Sequence, residues 1–192
     1  MALFVRALLV CALGLAVGLL ASAYALSRLS PFDTVRLGPW ELEARAGSID
    51  ADPYTKARLA RSGEIPLAAG EGLQLIARVD SAGRPLDARC VYEIGSRVPD
   101  ARYWTLSATD QDGWPIENLA HRYGFRSSEI LRFANGEFVI TVAADVQPGN
   151  WLPIGRQGAF LLVLRLYDSP LGATAGAIDR STAPRVSRVG CK

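Results

Sequence analysis

Histidine is almost missing from this sequence. With His121 alone, no metal site built from several imidazoles can exist. A zinc site joining it to Cys90 and Cys191 has no fourth ligand and none of the usual ligand spacing. Lysine is nearly absent too, with Lys56 and Lys192 its only instances, so the positive charge is almost all arginine. The 21 Lys and Arg stand against 19 Asp and Glu, a net charge of +2. Such a balance gives no electrostatic footprint for nucleic acid, which would need basic residues clustered on one face. There is no G-x-S-x-G elbow to build a serine nucleophile around His121, and Ser127-Ser128 nearby reads as a turn. No repeat of fixed period and no low-complexity run divides the chain, and nothing in it indicates a cofactor.

What the chain does have begins at the N-terminus. After Arg6, residues 7–26 (ALLVCALGLAVGLLASAYAL) run twenty positions without a charge, enough to cross about 30 Å of hydrocarbon as a helix. Ala21-Ser22-Ala23 and Ala23-Tyr24-Ala25 also fit an A-x-A signal cleavage pattern, so a retained transmembrane anchor and a cleaved signal both stay open. Gly14 and Gly18 form a G-x-x-x-G, more simply ordinary membrane glycines than a dimer seam. Cys11 lies within the run, leaving Cys90 and Cys191 for the soluble part. Two thiols in an exported domain suggest one disulfide, closing a loop of about 100 residues. Two unpaired thiols are the alternative.

The organisation expected is a membrane segment over 1–27, a linker over 28–37 and one domain over 38–192. Gly38-Pro39-Trp40 opens the folded part. Asp52 suits an N-cap, Pro53 the first helical position and Gly63 the stop of one short helix. From there the pattern is of strands: 73–80, 90–94, 103–110, 137–144 and 160–168, separated by turns at 81–84 and 112–113. Asn135-Gly136 between 130–133 and 137–144 suggests a hairpin with a type I′ turn. Residues 160–168 are apolar almost throughout and read as a central strand. Short strands with one or two helices point to a mainly β, antiparallel sandwich of jelly-roll type.

Few residues stand out as chemistry. Asp110-Gln111-Asp112-Gly113 resembles the start of a calcium loop, but Trp114-Pro115-Ile116 follows where further oxygen ligands are needed, and turn chemistry accounts for it better. Asp110 and Glu117 could be written as a glycosidase pair only if they met in space. Trp114, Asn118, Tyr123 and Trp151 could form a stacking platform for sugars, whereas core packing is the ordinary use of aromatics. Arg165 is the one charge inside an apolar strand, expected either to reach an edge or to pair with Glu93 or Asp145.

One set of blocks goes further. It comprises Trp104-Thr105-Leu106 with Asp110 and Gly113, Asn118, Arg122-Tyr123, Asn135-Gly136, Gly149-Asn150-Trp151-Leu152-Pro153 and Leu164-Arg165-Leu166-Tyr167. Together these resemble the bacterial family known as domain of unknown function 1214. Gly38-Pro39-Trp40, Asp50-Ala51-Asp52-Pro53-Tyr54 and Glu71-Gly72-Leu73 resemble its short, membrane-anchored members. The resemblance implies a jelly-roll-like sandwich and an envelope location, and it brings no reaction. The ligand-binding candidates are then Trp114, Asn118, Arg122, Tyr123, Asn150, Trp151 and Arg165. The expected function is a non-enzymatic binding or interaction module on the periplasmic side of the inner membrane, or in the periplasm after signal cleavage. Its partner would be a glycan, a lipid or an envelope protein. The competing expectation is a small metal-independent hydrolase or lyase of envelope carbohydrate.

Overall fold

The computed structural model describes residues 2–28, 34–43, 45–68, 70–96, 98–156, 158–169 and 183–192. The apolar N-terminal run is a single helix, α1 (Ala2–Arg28), whose span Ala2–Leu26 is long and apolar enough to cross a membrane and is exposed along its length. The ten strands that follow are β1 (Thr34–Leu37), β2 (Trp40–Glu43), β3 (Gly72–Ala77), β4 (Cys90–Ser96), β5 (Tyr103–Thr109), β6 (Gly124–Arg126), β7 (Phe138–Ala143), β8 (Asn150–Pro153), β9 (Leu161–Tyr167) and β10 (Arg185–Cys191). They form a six-stranded sheet in the order β1-β2-β3-β9-β5-β6 and a four-stranded sheet in the order β10-β4-β7-β8. Two sheets around one core make a mainly β sandwich, as the strand pattern predicts.

The second helix, α2 (Pro53–Ser62), has the punctuation read from the sequence. The Asp52 carboxylate accepts from the backbone N–H groups of Tyr54 (2.9 Å) and Thr55 (3.1 Å), satisfying two of the donors that the first turn leaves open. Gly63 closes the helix in the left-handed conformation, its N–H bonded to the Leu59 carbonyl.

Alternation along the strands decides what is buried. Trp40 and Leu42 of β2, Leu73, Leu75 and Ala77 of β3, Leu162, Leu164 and Leu166 of β9, and Trp104 and Leu106 of β5 all face inward. The four-stranded sheet answers with Tyr92, Ile94, Phe138, Ile140 and Val142. Trp104 stacks on Phe138 across the two layers with ring centroids 5.2 Å apart. β9 is the central strand that its apolar sequence suggests, paired to β3 on one side and β5 on the other. Gly72 opens β3 because a Cβ there would lie 2.0 Å from the Leu166 carbonyl oxygen.

Several expectations are corrected. β7 and β8 pair in parallel, so the sandwich is not wholly antiparallel: residues 144–149 double back and bring Asn150 beside Ile140. Only Gly136 of the Asn135-Gly136 pair has positive φ, at 81°, so the turn is not type I′. The chain turns there nonetheless, with the Phe133 N–H bonded to the Glu137 carbonyl, but residues 130–133 form no strand. The last four residues of the expected linker, 34–37, are β1, paired to β2 through Val35↔Leu42. The C-terminal strand β10 was not anticipated, because its Arg, Ser and Gly positions carry no apolar alternation.

Non-local polar contacts hold β10 in place. Cys90 and Cys191 are directly opposite in the β4/β10 ladder and form the disulfide. Trp40 Nε1 donates to the Pro184 carbonyl at 2.7 Å, and the Val186 N–H donates to Ser81 Oγ at 3.0 Å. Beneath them lies Asp80, only 1% exposed. Its carboxylate accepts from the Ala82 and Arg84 N–H groups (2.9 and 3.0 Å) and from Arg84 Nε (2.8 Å), and pairs with Arg188 Nε on β10 (3.2 Å). Burial alone would raise the Asp80 pKa, but the Arg84 and Ala82 hydrogen bonds outweigh it and hold the carboxyl below its usual range.

Three outcomes follow for stability. Removing one partner of a buried ion pair leaves the other charge uncompensated, so Asp80→Ala lowers unfolding free energy by about 3–5 kcal/mol in urea melts. Because the folded-state pKa of Asp80 is depressed, its contribution is complete above the ordinary carboxylate value of about 4. It is lost as pH falls through the folded value. The gap in Tm between wild type and Asp80→Asn therefore narrows below about pH 4. Replacing both Cys90 and Cys191 by Ser releases a 101-residue loop. On the chain-entropy account this costs up to about 4–5 kcal/mol, read as a lower denaturation midpoint than that of oxidised wild type.

Candidate functional site

The six-stranded sheet ends at β6 and the four-stranded sheet at β8, and these two edges lie on the same side of the sandwich. Five of the seven candidate residues meet there. Asn118 spends its whole carboxamide on closing the loop before β6: Nδ2 donates to the Ile116 and Arg122 carbonyls at 3.0 Å each, and Oδ1 accepts from the Arg122 N–H at 3.1 Å. His121 sits at the tip of this loop with φ 49°, its N–H bonded to the Asn118 carbonyl. Arg122 then reaches across to the other sheet, donating from Nη1 to the Trp151 carbonyl at 3.3 Å, with its guanidinium 4.9 Å from the Phe125 ring centroid.

Asn150 acts as a surrogate strand. Only 6% exposed, it accepts from the Leu131 N–H (2.8 Å) and donates to the Leu131 and Val139 carbonyls (2.9 Å each). Residues 130–133 form no ladder, and this side chain takes the place of one at Leu131. Trp151 packs half-buried, its Nε1 bonded to the Ala143 carbonyl at 3.0 Å. The Tyr123 hydroxyl donates to Glu117 Oε2 at 3.0 Å, and that bond pushes the phenol pKa up.

Trp114 stands on the rim. Asp110 Oδ1 accepts from the Asp112 and Trp114 N–H groups in a turn closed by Gly113, which is the turn reading of Asp110 to Gly113. The Trp114 indole is 71% exposed. Ile116, two residues on, packs beside Gly155 just past β8, so this loop and the β8 edge form one surface. Leu119, Leu131 and Phe133 are exposed on the segments that Asn118 and Asn150 fix.

Arg165 is elsewhere, and it pairs with neither Glu93 nor Asp145. It projects from central strand β9 on the outer face of the six-stranded sheet, where Nε donates to Gln74 Oε1 at 2.8 Å. Gln74 Nε2 donates in turn to Glu64 Oε1 at 2.8 Å, Glu64 pairs with Arg58 of α2 at 3.7 Å, and Arg58 pairs with Glu43. Burial pushes Glu43 up against the pull of Arg58, and Glu64 adds to the rise. Asp145 is held instead by Arg156 (2.8 Å) and Lys192. Sequence reading missed Gln74, Glu64 and Asp80. Their partners lie on other elements, and the only local cue was the Asp-Ser-Ala-Gly-Arg turn around Asp80.

Two facing sheets around a shared aromatic core, led by an apolar helix and braced at one open side by a loop-to-edge hydrogen-bond scaffold, define a β-sandwich of a particular build. Residues 71–171 match the family described as Protein of unknown function (DUF1214), and the chain belongs to it. The crystal structure of the VPA0106 protein from Vibrio parahaemolyticus is similar in fold, with TM-score 0.63 and 17% identity over 92% of this chain and 44% of that one. A putative uncharacterized protein from Burkholderia cenocepacia is similar at TM-score 0.43 and 18% identity, over 77% of this chain and 46% of that one. This chain thus spans less than half the length of either. No curated protein matches it.

Asn150→Ala removes the partner of Leu131 and Val139. A buried polar group left unpaired costs about 1–3 kcal/mol, so denaturant melts show at least that loss and hydrogen exchange at the Leu131 amide accelerates.

Proposed function

We propose that this chain is a membrane-tethered envelope protein whose single domain is an interaction module, with the β6–β8 side as its working surface. The observation that carries this reading is the scaffold itself. Asn118, Arg122, Asn150 and Trp151 spend their polar groups on backbone, holding rigid a surface from which Trp114, Leu119, Leu131 and Phe133 project into solvent. Large apolar side chains exposed along a braced edge are what protein recognition uses. Loops fixed by a sandwich are the usual place for it.

The competing reading, acid–base chemistry on carbohydrate, is less well supported. Tyr123 and Glu117 are the one hydrogen-bonded acid–phenol pair at this surface, and the bond raises the phenol pKa, the wrong direction for a base working near neutral pH. For location, the apolar helix supports an anchor or signal, and the Cys90–Cys191 disulfide supports an oxidising compartment. The periplasmic side of the inner membrane satisfies both.

The test is site-specific photocross-linking in intact cells, with a photoreactive amino acid placed singly at Trp114, Leu119, Leu131 or Phe133. Val189, 61% exposed on β10, serves as the control. Discrete adducts from the edge positions and none from Val189 are expected. No adducts, or the same adducts from every position, would overturn the interaction surface. The intact mass of the membrane-extracted protein separates the two fates of α1: a retained anchor keeps residues 1–27, and signal cleavage removes most of them.

A further inference from the structure

The outer face of the six-stranded sheet carries a second arrangement. Register aligns one row of side chains across it: Gln74 of β3 opposite Arg165, Arg165 opposite Thr105, and Thr105 opposite Arg126 of β6, with Glu43 one residue beyond the Leu42↔Leu75 pair of β2 and β3. The row changes character along its length. Its β2–β3 end is acidic but self-contained, because Glu43 and Glu64 are both engaged by Arg58. Its β9–β5–β6 end has Arg165 and Arg126 two strands apart, about 9–10 Å, with the Thr105 hydroxyl between them.

Arg165 is held by an amide and not by a carboxylate. Gln74 takes its Nε, and Glu64 fixes which way the Gln74 amide points. Among the described residues, no partner occupies either Nη. A guanidinium without a counter-ion, half-buried on a central strand and aimed by a two-residue relay, keeps its fork free for a bidentate oxyanion. Arg126 is only loosely engaged, 3.6 Å from Glu129, with both side chains largely exposed and the pair correspondingly weak.

Two residues along the same face, about 7 Å away, Tyr167 of β9 stands directly opposite Tyr103 of β5. Their rings are 5.9 Å apart and tilted at 49°. A cationic fork, a hydroxyl and a pair of half-exposed phenol rings, spread over about 7–10 Å of one sheet face, match a ligand of more than one sugar residue with both an anionic group and an apolar ring face. We propose that this face binds an acidic saccharide, its carboxylate gripped by Arg165 with help from Thr105 and Arg126, and its ring laid against Tyr103 and Tyr167. The inference deepens the binding-module reading by naming a ligand class, but it stands on a different face from the β6–β8 surface and on different residues.

The test is calorimetric titration of the full chain, purified in detergent, with a galacturonate tetrasaccharide. A neutral tetrasaccharide of the same length and inorganic phosphate are the comparison ligands. Saturable binding of the uronate is expected, without binding of the neutral sugar and without competition from equimolar phosphate. Arg165→Lys keeps the charge and loses the fork, and should weaken binding by about tenfold to a hundredfold. Gln74→Ala leaves Arg165 in place but unaimed and should weaken it several-fold, with Tm recorded for each variant. Tyr103→Ala gives an independent reading should the strand-centre variants fold poorly. Absence of uronate binding by wild type would overturn the proposal. So would equal binding of neutral sugar or phosphate, or affinity unchanged in well-folded Arg165→Lys. Loss on Trp114→Ala with Arg165→Lys unaffected would place the saccharide on the other surface and equally refute this one. The cross-linking result at the β6–β8 side is independent of all these outcomes.

Discussion

Much of this fold hangs on one buried carboxylate. Asp80 ends the path out of β3 and closes the turn to Pro85, so it belongs by connectivity to the six-stranded sheet. Its other partner, Arg188, belongs to the last strand of the four-stranded sheet, and lies 5.4 Å from the Tyr92 ring centroid. One side chain thereby ties two layers together at the point where the C-terminus must dock. The Trp40 bond to Pro184, the Ser81 bonds to Val186 and the Cys90–Cys191 disulfide all act on the same strand. Without β10 in place, β4 would become an open edge and Tyr92 would lose a neighbour over its ring.

The opposite side of the sandwich meets the same need differently. There, among the described residues, no strand closes the gap between β6 and β8. Side chains do so: Asn150 stands in for a missing ladder at Leu131, and Arg122 bridges to Trp151. Trp114, Leu119, Leu131 and Phe133, on the loops beside these bridges, remain exposed.

The two candidate surfaces also differ in how they handle charge. At the β6–β8 side the polar groups are internally satisfied, and what faces outward is largely apolar. On the outer face of the six-stranded sheet the ionic groups near α2 neutralise one another through Arg58, and Arg165 is left aimed but unneutralised by the amide relay. The same row of residues thus stabilises the docking of α2 at one end and leaves a cation available at the other.

Local chemistry was legible in the sequence wherever a segment carries its own reason to fold. The α2 caps at Asp52 and Gly63, the Asp110–Gly113 turn, the apolar length of α1 and the unbroken apolarity of β9 need no distant partner to be recognised. The Cys90–Cys191 disulfide was one of the two readings that a pair of thiols outside the apolar run allowed, and the structure decided it. Tertiary structure alone decided the rest. It made Asn150 a backbone surrogate, gave Arg165 a glutamine in place of a carboxylate, turned β8 parallel to β7, and recruited the polar residues 185–191 as a strand. Each of those outcomes depends on which groups remain unsatisfied once two sheets have closed over one core. That remainder belongs to the assembled fold, because a hydrogen-bond donor at one position is completed by an acceptor dozens of residues away.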